Sequence, residues 1–198
     1  QIAKAITTPR TMPRTRRHRA RTLIGLAAAD AGTFRQVAEG LEAVVFSGSR
    51  GHTFITDLGS LRQAHDVAIL TGAPPGFVGH DRVSPLIRFL RAHDHGVLAF
   101  DNVTGSHEEV QSLVIGALES GQFLDPQGRQ LTLDRYLVIL GCRQDATVVR
   151  TPIGFVSADT VSRKRAPSRT VGSTLGSRWI DVGFDAFVEV GPAPSVGR

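Results

Sequence analysis

The stretch VLAFDNVTGSHEEV (97–110) changes character twice. Val97 to Phe100 is apolar on both parities, as suits a strand covered on both faces, and it ends in Asp101 and Asn102. Ser106-His107-Glu108-Glu109 then reads as a capping box. Val110, Leu113, Val114, Ala117 and Leu118 follow at i, i+3, i+4, i+7 and i+8, one apolar stripe, and Gly121 supplies a C-terminal stop. A buried strand feeding an amphipathic helix is the building unit of a parallel α/β sheet.

The same grammar recurs on both sides. TLIGL (22–26), AVVFS (43–47), YLVILG (136–141) and AFVEV (186–190) read as further strands, most of them apolar on both parities. Helices fall between them. Phe34 to Leu41 is a short one, and Ser84-Pro85 before LIRFLRAH reads as an N-cap followed by Pro at the first helical position. Strands alternating with helices predict a mainly parallel sheet between helical layers, with ligands beyond the carboxyl ends of the strands.

The chain has 198 residues, 41% of them hydrophobic, enough for one well-packed domain. Its single Cys allows no internal disulfide and points to a reducing, cytoplasmic setting. No apolar run approaches the roughly 20 residues of a membrane span. The net charge is +5 and the basicity is uneven. Arg10, Arg14, Arg16, Arg17, Arg19 and Arg21 crowd the N-terminal end, and Arg163, Lys164, Arg165 and Arg169 form a second cluster. Such clusters either bind nucleic acid or an anionic surface or are solvated segments; neither is interleaved with aromatic residues, which argues against base stacking. Arg16-Arg17 imitates an export signal, but Asp30 cuts the apolar run short and Thr22 to Leu26 serves better as a core strand. A start at Gln1 rather than Met suggests a fragment or a processed product.

Asp101, at the end of a buried strand, is a candidate magnesium ligand, though an Asp there is as often a cap or turn former. A phosphate-binding G-x-x-x-x-G-K-[ST] should then follow the first strand. AAADAGTF stands there instead. Gly25, Gly32 and Thr33 lie close to the expected places and the lysine is missing. His93-Asp94-His95 suggests either a metal site or a turn, and the turn fits better because no third ligand is near in sequence. Cys142, ending a buried strand, reads as an inert core thiol. GAPPGFVGH (72–80) sets Phe77 in a glycine-rich loop, where an aromatic either packs inward or touches a partner.

Taken together, GAPPGFVG, VLAFDNVTGSH and ESGQFLDPQGRQLTLDRYLVILG, in that order and spacing from Gly72 to about Arg143, resemble the second ATPase module of the ClpA/ClpB family of AAA+ machines. FDAFVEVGP is similar to that family's fifth strand, and the likeness is fainter before residue 72. The resemblance implies a three-layer α/β P-loop NTPase (AAA+) fold with a parallel central sheet of about five strands. The family's small helical lid would begin near Pro192 and is absent. It further implies a basic segment over 1–21, a degenerate AAA+ large subdomain over 22–192 with an exposed basic insertion near 157–178, and a tail over 193–198.

Carried over residue by residue, the resemblance implies mostly loss. The phosphate-binding lysine falls on Gly32, the water-polarising glutamate on Asn102, the sensor asparagine on Arg143 and the arginine finger near Gly183, with Arg178 close by. Thr33 and Asp101 keep the magnesium-ligand types, so Gly25, Gly32, Thr33, Asp101 and Arg143 are the implied nucleotide-binding residues, holding ATP or ADP with Mg weakly. Without the lysine a point charge on the phosphates is gone, Asn102 cannot act as a base, and an arginine finger is worth about 10³–10⁵ in rate. Gly76, Phe77, Val78 and Gly79 match the loop that grips a polypeptide in the family's axial channel, with Phe for the usual Tyr, and Arg129 in PQGR faces either a subunit interface or solvent. The expected function is a pseudo-ATPase module in a homo- or hetero-oligomeric ring that remodels polypeptides. The alternatives are an active ATPase drawing groups from a partner subunit or from Arg143 and Arg178, and a nucleic-acid or anionic-surface adaptor on the same scaffold.

Overall fold

The architecture is set by β1 (Thr22–Ala28), which runs into α1 (Ala31–Val45), and by four further strands laid parallel to it. A computed structural model of the chain describes residues 19–73, 76, 83–143, 175 and 177–190. After α1 come β2 (Thr53–Asp57), the short helix α2 (Val67–Thr71), α3 (Pro85–Ala92), β3 (Gly96–Asp101) and α4 (Glu108–Ser120). The hairpin strands β4 (Gln122–Leu124) and β5 (Gln130–Thr132) precede β6 (Tyr136–Arg143), the short helix α5 (Ser177–Ile180) and β7 (Ala186–Val190). The main sheet has the order β2-β3-β6-β1-β7, all pairs parallel, and β4 and β5 form a separate antiparallel ribbon. This is the expected α/β sheet.

Alternation along the strands builds two cores. Ile24, Leu26 and Ala28 of β1, Val97 and Ala99 of β3 and Ile139 of β6 meet Phe34, Val37, Ala38 and Leu41 of α1. The opposite parity, Leu23 and Ala27, Leu98 and Phe100, Val138 and Leu140, meets α3 and α4. Both faces of the sheet are covered at its centre, which is why β1, β3 and β6 are apolar on both parities.

AVVFS (43–47) is corrected: it forms the last turns of α1, not a strand. Val44 and Val45 are 70% and 44% exposed, so their apolar character reflects no core position. The second strand is TFITD (53–57), an edge strand only half buried. The helix expected over Phe34–Leu41 extends to Ala31–Val45 because Asp30 caps it earlier. At α4 the N-cap is His107, whose Nδ1 accepts from the Glu109 N–H at 3.2 Å, while the Ser106 hydroxyl donates back to the Val103 carbonyl. The expected capping box is therefore replaced by a histidine cap. Ser84 and Gly121 act as read: the Ser84 Oγ accepts from the Ile87 N–H, and Gly121 closes α4 at φ 79°.

The His93 and His95 rings go into stacking. The rings of Phe46, His52 and His95 form a triangle with centroid separations of 4.9, 5.3 and 5.4 Å, and His93 stacks on Phe89 at 4.4 Å. Among the described residues no group of three or more His, Cys, Asp or Glu is placed to hold a metal, and no helix is long and apolar enough to cross a membrane. Cys142 is buried in β6. Arg19 and Arg21 are anchored to the fold, their backbone N–H groups donating to the Leu118 and Tyr136 carbonyls. The rest of the N-terminal basic cluster and all of the second one lie outside the described residues.

Candidate functional site

The sheet order brings the carboxyl ends of β1, β3 and β6 together. Ala28 pairs with Arg143, and on the far side Asp57 pairs with Asp101. Only Ala29 and Asp30 separate β1 from α1, so the helix N-terminus stands directly over this end of the sheet.

Asp30 occupies that N-terminus. Its backbone is extended, with φ −153° and ψ 170°, and its Oδ1 accepts the Thr33 N–H at 2.8 Å. Its Oδ2 accepts the Thr33 hydroxyl at 2.9 Å. The Thr33 backbone bond, then the Thr33 hydroxyl, hold the Asp30 carboxyl below the ordinary carboxylate range, with the Gly32 N–H and the Arg143 charge acting the same way. The first-turn amides of a helix are an anion site, and here the anion is part of the chain. Gly32 fits this arrangement: a Cβ there would lie 3.0 Å from Asp30 Oδ1.

Asp101 is the second element. It is buried, and Arg143 Nη2 donates to its Oδ2 at 2.8 Å. Burial pushes its carboxyl up from the ordinary value and neighbouring Asp57 adds to this, while Arg143 pulls the other way without overcoming the burial. Asp101 Oδ1 and Arg143 Nη1 are both buried with no hydrogen-bond partner.

Gly141 makes room for the pair. A Cβ there would lie 2.4 Å from the Phe34 ring and 2.9 Å from Asp101 Oδ1. Overpacking of this kind costs about 1–3 kcal/mol. Gly141→Val is expected at the upper end, because it displaces Phe34 and the ion pair together; urea unfolding of the variant checks this.

Asn102 follows Asp101 directly. It has left-handed backbone (φ 50°, ψ 45°), which Asn tolerates better than most residues. Its side chain is packed between two glycines: a Cβ at Gly59 would lie 1.9 Å from Asn102 Nδ2, and one at Gly105 2.8 Å from Asn102 Oδ1.

A magnesium nucleotide at these residues would need free helix amides for its phosphates, a Thr hydroxyl turned to the metal and an unpaired Asp carboxylate. The Thr33 amide and hydroxyl are spent on Asp30, one Asp101 oxygen is spent on Arg143, and Asp30 would repel the phosphates. The residues present do not fit that ligand in this arrangement.

Residues 21–166 match the family described as AAA domain (Cdc48 subfamily). The chain belongs to the AAA+ family, as a module of the ClpA/ClpB type. It is 25% identical over 133 residues to the ATP-dependent Clp protease ATP-binding subunit ClpE of Bacillus subtilis, covering 67% of this chain and 19% of the relative. It is 29% identical over 131 residues to the chaperone protein ClpB of Staphylococcus aureus strain COL, covering 66% and 15%. The chain thus spans about a fifth or less of the length of these relatives. A closed-state cryo-EM reconstruction of Hsp104 with ATPγS and FITC casein shares the fold, with TM-score 0.66 and 18% identity over 87% of this chain and 29% of that one. ATP or ADP with Mg is the ligand that the AAA+ family generally implies.

Of the residues singled out in this AAA+ module, Gly32, Thr33, Asp101 and Arg143 come together at the carboxyl end of the sheet. Gly25 does not. It lies mid-strand in β1, where a Cβ would meet the Phe187 ring at 2.5 Å, so it is a packing glycine against β7. Gly183 is a turn residue with φ 79°, and Arg178 is exposed on α5 beside buried Trp179. Gly76 has φ 93°, and among the described residues no atom lies within 4 Å of where its Cβ would be; Phe77, Val78 and Gly79 lie outside the described residues. In the β4–β5 turn Arg129 is exposed, and its backbone N–H donates to Asp125 Oδ1 at 2.8 Å. The guanidinium that enters the turn is Arg91, which pairs with buried Asp125 and donates to Gln127 Oε1 at 2.6 Å.

Three site residues escaped the sequence reading: Asp30, Gly141 and Asp57. The spacing of Asp30 to Thr33 before an apolar helical stripe was a readable N-cap signal. Gly141 carried none, since its necessity arises from Phe34 and Asp101, both distant in sequence.

Proposed function

We propose that this chain is a non-hydrolysing AAA+ module that serves as a structural unit in a polypeptide-remodelling assembly. The observation that carries this reading is the Arg143–Asp101 ion pair, which turns the metal-ligand carboxylate into half of an internal salt bridge. It is reinforced by Gly32 in place of the phosphate-binding lysine and by Asn102, whose amide cannot act as a base and is packed against Gly59 and Gly105. A ring is the assembly the family suggests, and Phe77 with Gly76, Val78 and Gly79 is the element that would touch a polypeptide in it. Any hold on ATP or ADP with Mg through Thr33 and Asp101 is weak, since both are already engaged.

Phosphate release from ATP in the presence of Mg is expected to stay at the protein-free background. Turnover abolished by Asp101→Ala would overturn the proposal.

A further inference from the structure

The Thr33 amide and hydroxyl and one Asp101 oxygen are already paired within the chain. We propose that Asp30 is the specificity-determining residue of this face, an internal anion that takes the place of a bound phosphate and shuts the site to phosphate-bearing ligands. The inference rests on the non-hydrolysing reading but concerns binding, so the two fail separately.

The geometry supports it from three sides. The Asp30 carboxylate uses both oxygens on the amide and hydroxyl of Thr33, at 2.8 and 2.9 Å, the groups at the head of a 15-residue helix that would otherwise meet an anion. Gly32 carries no side chain to compete for that place, and a Cβ there would already crowd Asp30. Behind them, Arg143 Nη2 holds Asp101 Oδ2 at 2.8 Å, and Arg143 Nη1 and Asp101 Oδ1 are buried without hydrogen-bond partners. Asp101 is itself almost wholly buried, its side chain 5% exposed. The cation of the site is likewise internal, because Arg143 neutralises the carboxylate that a metal would otherwise claim. With both charges supplied by the chain, this end of the sheet is organised without a ligand.

Removing the charge while keeping the cap separates this role from ordinary helix capping. Ser is as good an N-cap as Asp, so Asp30→Ser should keep α1. Inorganic pyrophosphate is the probe, followed by the shift in melting temperature and by calorimetry on the full chain. Asp30→Ser is expected to bind pyrophosphate about tenfold more tightly than the parent chain, because the repelling carboxylate is gone and the Thr33 hydroxyl is freed while the cap on the Thr33 N–H is kept, and to be stabilised by it in proportion. ATP turnover stays at background in both proteins. Should Asp30→Ser not fold, Asp30→Asn keeps the shape of the side chain and carries the same expectation. Equal pyrophosphate binding by variant and parent, or no binding by a folded variant, overturns the assignment of Asp30. ATP turnover by the parent chain would overturn the non-hydrolysing reading instead.

Discussion

Replacing Arg143 with Met lowers the unfolding free energy by about 3 kcal/mol at neutral pH, near the lower end of the cost of breaking a buried ion pair by removing one partner. Asp101 is the partner left behind, with 5% of its side chain exposed, while Arg143 is 30% exposed, so water can partly fill the place of the guanidinium. The deficit depends on pH in a defined sense. Burial already holds the Asp101 carboxyl above the ordinary value of 3.8, and Arg143 is the main influence opposing this. Without Arg143 the folded-state pKa climbs further. A carboxyl raised on folding costs nothing while it is protonated in both states, below 3.8, and costs progressively more as pH rises through its folded-state pKa. Urea unfolding should therefore show a smaller difference between variant and parent at mildly acid pH than at neutral pH. Arg143→Lys, which keeps the charge and loses the planar fork, should recover part of the loss. An Arg143→Met deficit that does not change with pH would mean that the side chain acts by packing alone.

Trp179→Ala is expected to cost about 3–5 kcal/mol, the range for truncating a large buried aromatic. Trp179 is 1% exposed and sits in the core with Leu175 and Val182, and its Nε1 donates to Gln111 Oε1 of α4 at 3.2 Å. It pins α5 onto the body of the module just before β7, the strand that pairs with β1. Trp179→Phe keeps most of the apolar area and loses the hydrogen bond, so it should cost about 1–2 kcal/mol, well short of the alanine variant. Because Trp179 is the single tryptophan, unfolding is followed by far-ultraviolet circular dichroism in both variants. A loss below about 1 kcal/mol for the alanine variant would show that α5 is not held in the core, and would leave Arg178 without a fixed mount.

Much of the sheet could be read from the chain because its central strands are covered on both faces. TLIGL, VLAFD and YLVILG are mainly apolar on both parities for that reason, while AFVEV is the other edge strand, half buried with Glu189 exposed; each lies within or coincides with an observed strand. The edge strand TFITD is only half buried, so its pattern mixes polar and apolar residues and gave no signal. AVVFS misled because two adjacent valines imitate a strand, although they are exposed at the end of α1. Leu175 and Trp179 were hidden differently. Both are buried, yet Leu175 falls within the 157–178 stretch read as an exposed basic insertion, since local composition there is dominated by Arg, Ser, Thr and Gly. The family resemblance implied losses at Gly32, Asn102 and Arg143. The contacts these positions make were only partly readable. The Asp30 carboxylate on Thr33 is local, three residues apart, but the Arg143 guanidinium on Asp101 spans 42 residues and the space at Gly141 is set by Phe34 and Asp101, which only the strand order brings together.

The claim that the nucleotide site is filled by the chain's own side chains is tested most directly by a calorimetric titration of magnesium ATP into the purified protein. The account predicts no saturable heat of binding. Saturable binding to the parent chain that is lost in Asp101→Ala would contradict it, because Asp101 would then be holding a ligand rather than Arg143.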